Sequence, residues 1–213
     1  EQKCSYCDFY SVNKNNKIIE RYVQALKKEI TLYAKNLKVK KLNTVYFGGG
    51  TPSLINSEMI DELLDLIRSN FILQNKAEIS LEANPSSMTQ EKIYEYNKSG
   101  INRLSLGVQS FYDAELDLLG RLHNSSQARE IINRVSTIFD NYNIDLIFAL
   151  PDQNIDQWKK NLQNVLKYHP PHLSIYNLQI EENTPLYELV RNNNLKPIDA
   201  KVDAEMYKIT RHT

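Results

Sequence analysis

The sequence predicts an α/β fold: a partial (β/α)6 TIM-like barrel of parallel strands with outer helices, its first strand missing ahead of Glu1. Three observations carry that prediction. Short apolar runs rich in β-branched and aromatic residues alternate with amphipathic stretches. Polar residues and a run of three glycines stand where those runs end, which is where parallel α/β folds place their chemistry. Both cysteines, Cys4 and Cys7, lie together ahead of the first complete unit.

Residues 18–36 repeat apolar side chains at helical spacing and predict the first helix. The run 44–47 reads as a buried strand leading into Phe47-Gly48-Gly49-Gly50-Thr51-Pro52-Ser53. A helix is expected over 57–69, with Ser57 as the start signal before Glu58 and Asp61. Strand 77–81, helix 89–98 opened by Thr89, and strand 103–108 follow. Ser125 or Ser126 opens a helix over 126–139, and strand 144–150, helix 155–168, strand 173–178 and helix 184–193 complete the alternation. Such an order demands parallel strands joined by right-handed crossovers. Five runs fall short of a closed eight-stranded barrel, and one more strand before Glu1 would put the cysteine pair in the first βα loop. Residues 13–17 and 192–194 read as polar loops. With no linker or internal repeat, residues 1–213 are expected to form a single domain.

Composition narrows the function. Twenty-six basic residues balance 26 acidic ones, so the basic excess that accompanies phosphate neutralisation is lacking and nucleic acid is not an expected partner. No stretch approaches the about 18 apolar residues that cross a bilayer, and Glu1-Gln2-Lys3-Cys4 resembles no signal peptide. A cytoplasmic protein is expected, with membrane association only through a partner. In that compartment two cysteines separated by two residues point to a metal, cluster or redox role more than to a disulfide framework.

Three of the six glycines are consecutive. At a strand end they leave backbone amides bare for a close-lying ligand, and the plain alternative is a tight turn into a helix. No Gly-Lys-Ser/Thr follows, which excludes a P-loop, and the spacing is not that of a dinucleotide fingerprint. Cys4-Ser5-Tyr6-Cys7 admits two buried thiols, a zinc site, a redox pair or an iron-sulfur site. Zinc would need two further ligands, and the two-residue gap between His169 and His172 is shorter than usual. A redox pair would need a helix starting at the motif, and residues 8–16 lack helical character. Thiolates wrapping a cluster are the third possibility. Glu82, Gln109 and Asp145 occupy strand ends where apolar residues would be cheaper, since burying one unpaired costs several kcal/mol. Singly each could be a cap or a satisfied core group. Together, beside the glycines and cysteines, they describe a ligand site.

At this point the residues resemble the radical S-adenosylmethionine superfamily, in its oxygen-independent coproporphyrinogen III oxidase-like branch. The collinear motifs are Cys4-Ser5-Tyr6-Cys7-Asp8-Phe9, the Gly48-Gly49-Gly50-Thr51-Pro52 run, Leu81-Glu82-Ala83-Asn84-Pro85, Gly107-Val108-Gln109-Ser110-Phe111, Leu119-Gly120-Arg121-Leu122-His123, residues 145–151 and residues 173–178. The resemblance implies a [4Fe-4S] cluster held by C-x3-C-x2-C and S-adenosylmethionine chelated to the open iron, with an electron from the cluster cleaving the sulfonium. It also implies a chain shortened at both ends: the first cluster cysteine would fall immediately before Glu1, and a carboxyl-terminal domain would follow. Cys4 and Cys7 would be cluster ligands and Tyr6 would pack near the adenine. Gly49, Gly50 and Thr51 would face the methionyl amino group, with Glu82 bonding the same region. Gln109 and Asp145 would take the ribose hydroxyls and Arg121 the carboxylate, Gln179 would lie near the adenine, and His123 would be structural.

Within that branch the oxidase, a coproporphyrinogen dehydrogenase-like enzyme, carries a further cysteine two residues beyond the third, where this chain has Phe9. The form found here, with Ile180-Glu181-Glu182-Asn183-Thr184-Pro185, resembles the haem-chaperone subgroup, whose members deliver haem to acceptor proteins. Haem would then be cargo, alongside an acceptor protein and an electron donor. The haem-ligand histidine of that subgroup belongs to the carboxyl-terminal region, so His123, His169, His172 and His212 are not nominated for it. Oxidative decarboxylation of porphyrinogen propionates is the alternative function.

Overall fold

The computed structural model describes residues 3–10, 15–38 and 40–213. Five strands lie side by side in chain order: β1 (Lys41–Phe47), β2 (Ile72–Ala83), β3 (Arg103–Gln109), β4 (Tyr142–Phe148) and β5 (His172–Asn177). Every neighbouring pair is parallel, and the sheet curls into a half-barrel as expected. The helices are α1 (Asn16–Asn36), α2 (Ser57–Asn70), α3 (Gln90–Ser99), α4 (Asp113–Leu118), α5 (Ser125–Ser136), α6 (Ile155–Leu166), α7 (Pro185–Arg191) and α8 (Ala200–His212). The polar loop expected over 13–17 lies partly outside the described residues, and α1 is capped by Asn15.

Strand side chains alternate between faces, and the two faces have different chemistry. Leu104, Leu106 and Val108 of β3 join Leu81, Leu146 and Phe148 in one core with Leu64 of α2, Ile93 and Tyr96 of α3, Ile132 of α5 and Trp158 of α6. Each such aliphatic side chain contributes about 1.5–3 kcal/mol when taken from water. The other face of β3 carries Arg103, Ser105, Gly107 and Gln109. A smaller cluster of Leu119, Ile147, Leu150, Leu178 and Leu186 sits at the carboxyl ends of the strands and packs against Tyr6.

Two helix starts differ from the expected ones. Asn56, not Ser57, caps α2 by accepting the Glu58 N–H at 3.1 Å, because Ser57 already has helical geometry and its hydroxyl turns to Glu95. Asn124, not Ser125 or Ser126, caps α5 in a reciprocal box with Gln127. Thr89 caps α3 as expected. Two helices went unread in the sequence. α4 is too short for a periodicity to show, and α8 starts at the Asp199 cap and docks through Met206 and a 2.9 Å bond from Trp158 Nε1 to Thr210 Oγ1.

Candidate functional site

The carboxyl ends of the strands open into a cleft of about 580 Å³, lined by Cys4, Tyr6, Cys7, Gly49, Gly50, Thr51, Glu82, Gln109, Arg121 and Asp145. The structure therefore brings together every residue selected from the sequence. Gln179 also lines it, its amide bonded to Asn177 Oδ1 at 3.0 Å.

The cysteine loop is held by segments far away in the chain. Ser5 donates its N–H to Leu119 O (3.0 Å) and its hydroxyl to Leu118 O (2.6 Å), and it accepts the Leu186 N–H at 2.9 Å. Gly120, at φ 67°, permits this approach, since a Cβ there would lie 3.0 Å from Ser5 N. A turn closed by Cys7 N–H to Cys4 O (3.3 Å) presents both thiols to the cleft. Arg121 donates Nη1 to Cys4 Sγ (3.2 Å) and Nη2 to Gly107 O (2.6 Å), while its Nε is buried and has no protein partner. Burial pushes the Tyr6 hydroxyl up to about 12, against the opposing charge of Arg121, so the phenol stays protonated.

After β1 the chain turns through the three glycines. Gly49 lies at φ 121°, and Gly49 and Gly50 have open space where a Cβ would stand, so the backbone itself forms this wall. Glu82 anchors the turn by accepting the Gly49 N–H at 3.3 Å, and it accepts the Tyr46 hydroxyl as well. A Cβ on Gly48 would collide with the Tyr46 ring, so the glycine is what lets that phenol fold back over the turn. Burial and the Glu82 bond raise the Tyr46 pKa.

Asp145 stands on β4 in a hydrogen-bond array. Its carboxylate accepts from Asn143 Nδ2 and from Ser105 Oγ at 3.4 Å, and Asn143 Oδ1 accepts from Ser174 Oγ at 3.1 Å. Burial pushes the carboxyl from 3.8 to about 6, helped by nearby Glu82 and opposed by the Asn143 and Ser105 bonds. Gln109 ends β3 at φ 71° with Oε1 accepting the Tyr176 hydroxyl at 3.0 Å. His123 is buried, its Nε2–H donating to Val108 O (3.1 Å), and desolvation lowers its pKa to about 4. It is a neutral structural imidazole, as expected.

His172 begins β5, at the opposite end of the sheet from the thiols, where its Nδ1 bonds Asn143. Among the described residues no three His, Cys, Asp or Glu side chains converge to hold a metal, so the zinc possibility fails on placement. Sequence reading missed Tyr46, Ser105 and Tyr176, all tied to selected residues. Period-two spacing from Gly48 and Gln109 could have marked Tyr46 and Ser105 as cleft-facing, whereas no selected residue on β5 pointed to Tyr176.

The donor chemistry can be tested against the implied groups. Two adjacent thiols beside a guanidinium supply soft ligands for an iron-sulfur cluster, though two of the three required. Glu82, Gln109 and Asp145 supply acceptors that match the ammonium and hydroxyl groups of S-adenosylmethionine, the open space over Gly49 and Gly50 lets a ligand lie close to the backbone, and the orphan Arg121 Nε suits an anion.

Comparison with known proteins agrees. The Radical SAM superfamily profile matches residues 1–165. The haem chaperone HemW of Buchnera aphidicola (Schizaphis graminum) is 37% identical over 199 residues, covering 91% of this chain and 53% of that protein. HemW of Escherichia coli is 38% identical over 188 residues, covering 86% and 49%. The mouse protein "Radical S-adenosyl methionine domain-containing protein 1, mitochondrial" is 35% identical over 215 residues, covering 98% and 47%. The chain thus spans about half the length of the curated relatives it matches. Among solved structures, coproporphyrinogen III oxidase (HemN) from Escherichia coli, described as a radical SAM enzyme, superposes with TM-score 0.87 at 27% identity, covering 98% of this chain and 48% of that one. With the parallel half-barrel, the thiol pair and the glycine-walled cleft in one place, the chain belongs to the radical SAM superfamily.

Proposed function

We propose that residues 1–213 form the radical SAM core domain of a haem chaperone, one that binds a [4Fe-4S] cluster and S-adenosylmethionine and delivers haem to acceptor proteins. The observation that carries the choice is Phe9. It lines the cleft at 67% exposure, in the place where the oxidase pattern has an additional cysteine. The HemW relatives at 37% and 38% identity point the same way.

In this reading Cys4 and Cys7 ligate the cluster and Arg121 faces the carboxylate of S-adenosylmethionine. Gly49, Gly50, Thr51 and Glu82 hold its methionyl end, Gln109 and Asp145 its ribose, and Tyr6 packs near its adenine. When bound, the pair of cofactors supplies reductive sulfonium chemistry. The chain's own residues bind, orient and exclude water.

Full-length protein, reconstituted anaerobically, is expected to bind haem and to pass it to an apo-acceptor, followed by the shift of the Soret band. It is expected not to convert coproporphyrinogen III when reductant and S-adenosylmethionine are supplied. Decarboxylation without haem transfer would overturn the proposal in favour of the oxidase, towards which the HemN superposition points.

A further inference from the structure

Behind the cleft wall lies a buried carboxylate to which the proposed chemistry assigns nothing. Glu115 of α4 is 7% exposed, and neutral donors meet its oxygens: Ser110 Oγ and Asn161 Nδ2 (2.9 Å) at Oε2, and Gln153 Nε2 (3.0 Å) at Oε1. The same side chains grip two rim loops by their backbones. Asn161 Oδ1 accepts the Phe111 N–H at 2.8 Å, Ser110 Oγ accepts the Tyr112 N–H at 3.0 Å, and Gln153 Oε1 accepts the Leu150 N–H at 3.4 Å.

Both loops are entered through the left-handed region at residues other than glycine, Gln109 at φ 71° as the last residue of β3 and Ala149 at φ 60° directly after β4. A side-chain-bearing residue persists there only when its surroundings impose the conformation. Ser110 and Phe111, gripped by Glu115 and Asn161, immediately follow Gln109, so the knot fixes the backbone that aims the Gln109 amide into the cleft. A carboxylate is well suited to the task because it accepts several donors at once, whereas a carboxamide must turn a donor towards one of them.

We propose that Glu115 is a positioning residue for the cleft: with Ser110, Gln153 and Asn161 it imposes the left-handed turn at Gln109 and thereby the direction of the Gln109 amide. The inference rests on the reading that this cleft takes S-adenosylmethionine.

The test is a double-mutant cycle in the full-length reconstituted protein, with S-adenosylmethionine affinity measured by calorimetry and folding checked by thermal melts. Glu115→Gln and Gln109→Ala are each expected to weaken affinity about tenfold, and the double variant to stay within about twofold of Gln109→Ala alone. A purely structural carboxylate would lower the melting temperature and leave the two losses multiplicative, or leave affinity unchanged; either result overturns the proposal. Ser110→Ala, a milder cut in the same knot, must show the same dependence on Gln109 and serves if Glu115→Gln does not fold. Wild-type protein with no affinity for S-adenosylmethionine would overturn the functional reading and this inference together, while binding with multiplicative losses sinks the inference alone.

Discussion

Asp145→Asn should make the protein more stable at neutral pH and a worse ligand binder. In the folded chain the Asp145 carboxyl is raised from 3.8 to about 6, chiefly by burial. A raised carboxyl means that the native state holds its proton more tightly than the unfolded chain does. Between those two values the native state therefore binds more protons, and stability falls as pH rises through the window. At about 1.4 kcal/mol per tenfold in proton affinity, the displacement amounts to up to about 3 kcal/mol, fully present above about pH 7 and absent near about pH 4. Asparagine keeps the shape and an acceptor for Asn143 but carries no charge, so it removes the penalty. Urea unfolding from about pH 4 to about pH 8 is expected to show wild type and variant converging at the acid end and separating above it. Adenosine-ligand affinity should move oppositely, falling in wild type as acid protonates the carboxylate and staying low in the variant throughout. A constant stability offset across the range, or a variant less stable at the alkaline end, would refute the reasoning.

His123→Gln should tilt the same profile the other way. The buried imidazole has its pKa lowered from 6.5 to about 4, so the unfolded chain binds the extra proton and wild-type stability is lost as pH falls from about 6.5 to about 4. The variant should escape that acid loss, worth about 3 kcal/mol, relative to its own stability at about pH 7, and identical acid sensitivity in urea titrations would contradict the assignment. Cys7→Ala in the full-length protein should abolish the broad iron-sulfur absorbance after anaerobic reconstitution, and undiminished absorbance would remove Cys7 from the ligand set.

The opposed titrations of Asp145 and His123 could not be read from the sequence, since both depend on burial. What could be read was local patterning. The apolar run 103–108 located β3, and Gln109 at its end marked a position that the structure places in the cleft. Two helices were missed: α4 is too short for a periodicity to show, and α8, begun by the Asp199 cap, docks through Met206 and the Trp158–Thr210 bond, contacts that the sequence does not display. Of the ten selected cleft residues, Glu82, Gln109, Asp145 and the glycines were legible because polar and glycine positions in or after buried strands conflict with local burial preference, the cysteines by their spacing, and Tyr6, Thr51 and Arg121 only through the family resemblance. Tyr46 was not, because an aromatic residue in a strand conflicts with nothing, and only its bond to Glu82 reveals its place. The knot around Glu115 was hidden for a further reason. Its members come from four segments, and no spacing in sequence links Glu115, Gln153 and Asn161.

The half-barrel also explains why burial raises the pKa of the Asp145 carboxyl. A closed barrel fills its interior with layered branched aliphatics, but here the corresponding face holds Glu78, Arg103, Ser105, Asn143, Asp145, His172 and Ser174, bonded to one another across strands. The larger apolar core lies on the helix-covered side, and on the other face only the smaller cluster around Ile147, at the carboxyl ends of the strands, adds to it. The polar side must instead satisfy its own donors and acceptors, because each one left unmade costs about 1–3 kcal/mol. Asp145 lies towards the cleft end of this array, where Asn143 and Ser105 stabilise its ionised form and Glu82 opposes it. Neither neighbour offers a full positive charge, so desolvation prevails. A lysine or arginine set against Asp145 would cure the high pKa, yet it would also occupy the oxygens that the proposed site keeps for a ligand's hydroxyl groups. The elevated proton affinity follows from keeping that carboxylate available.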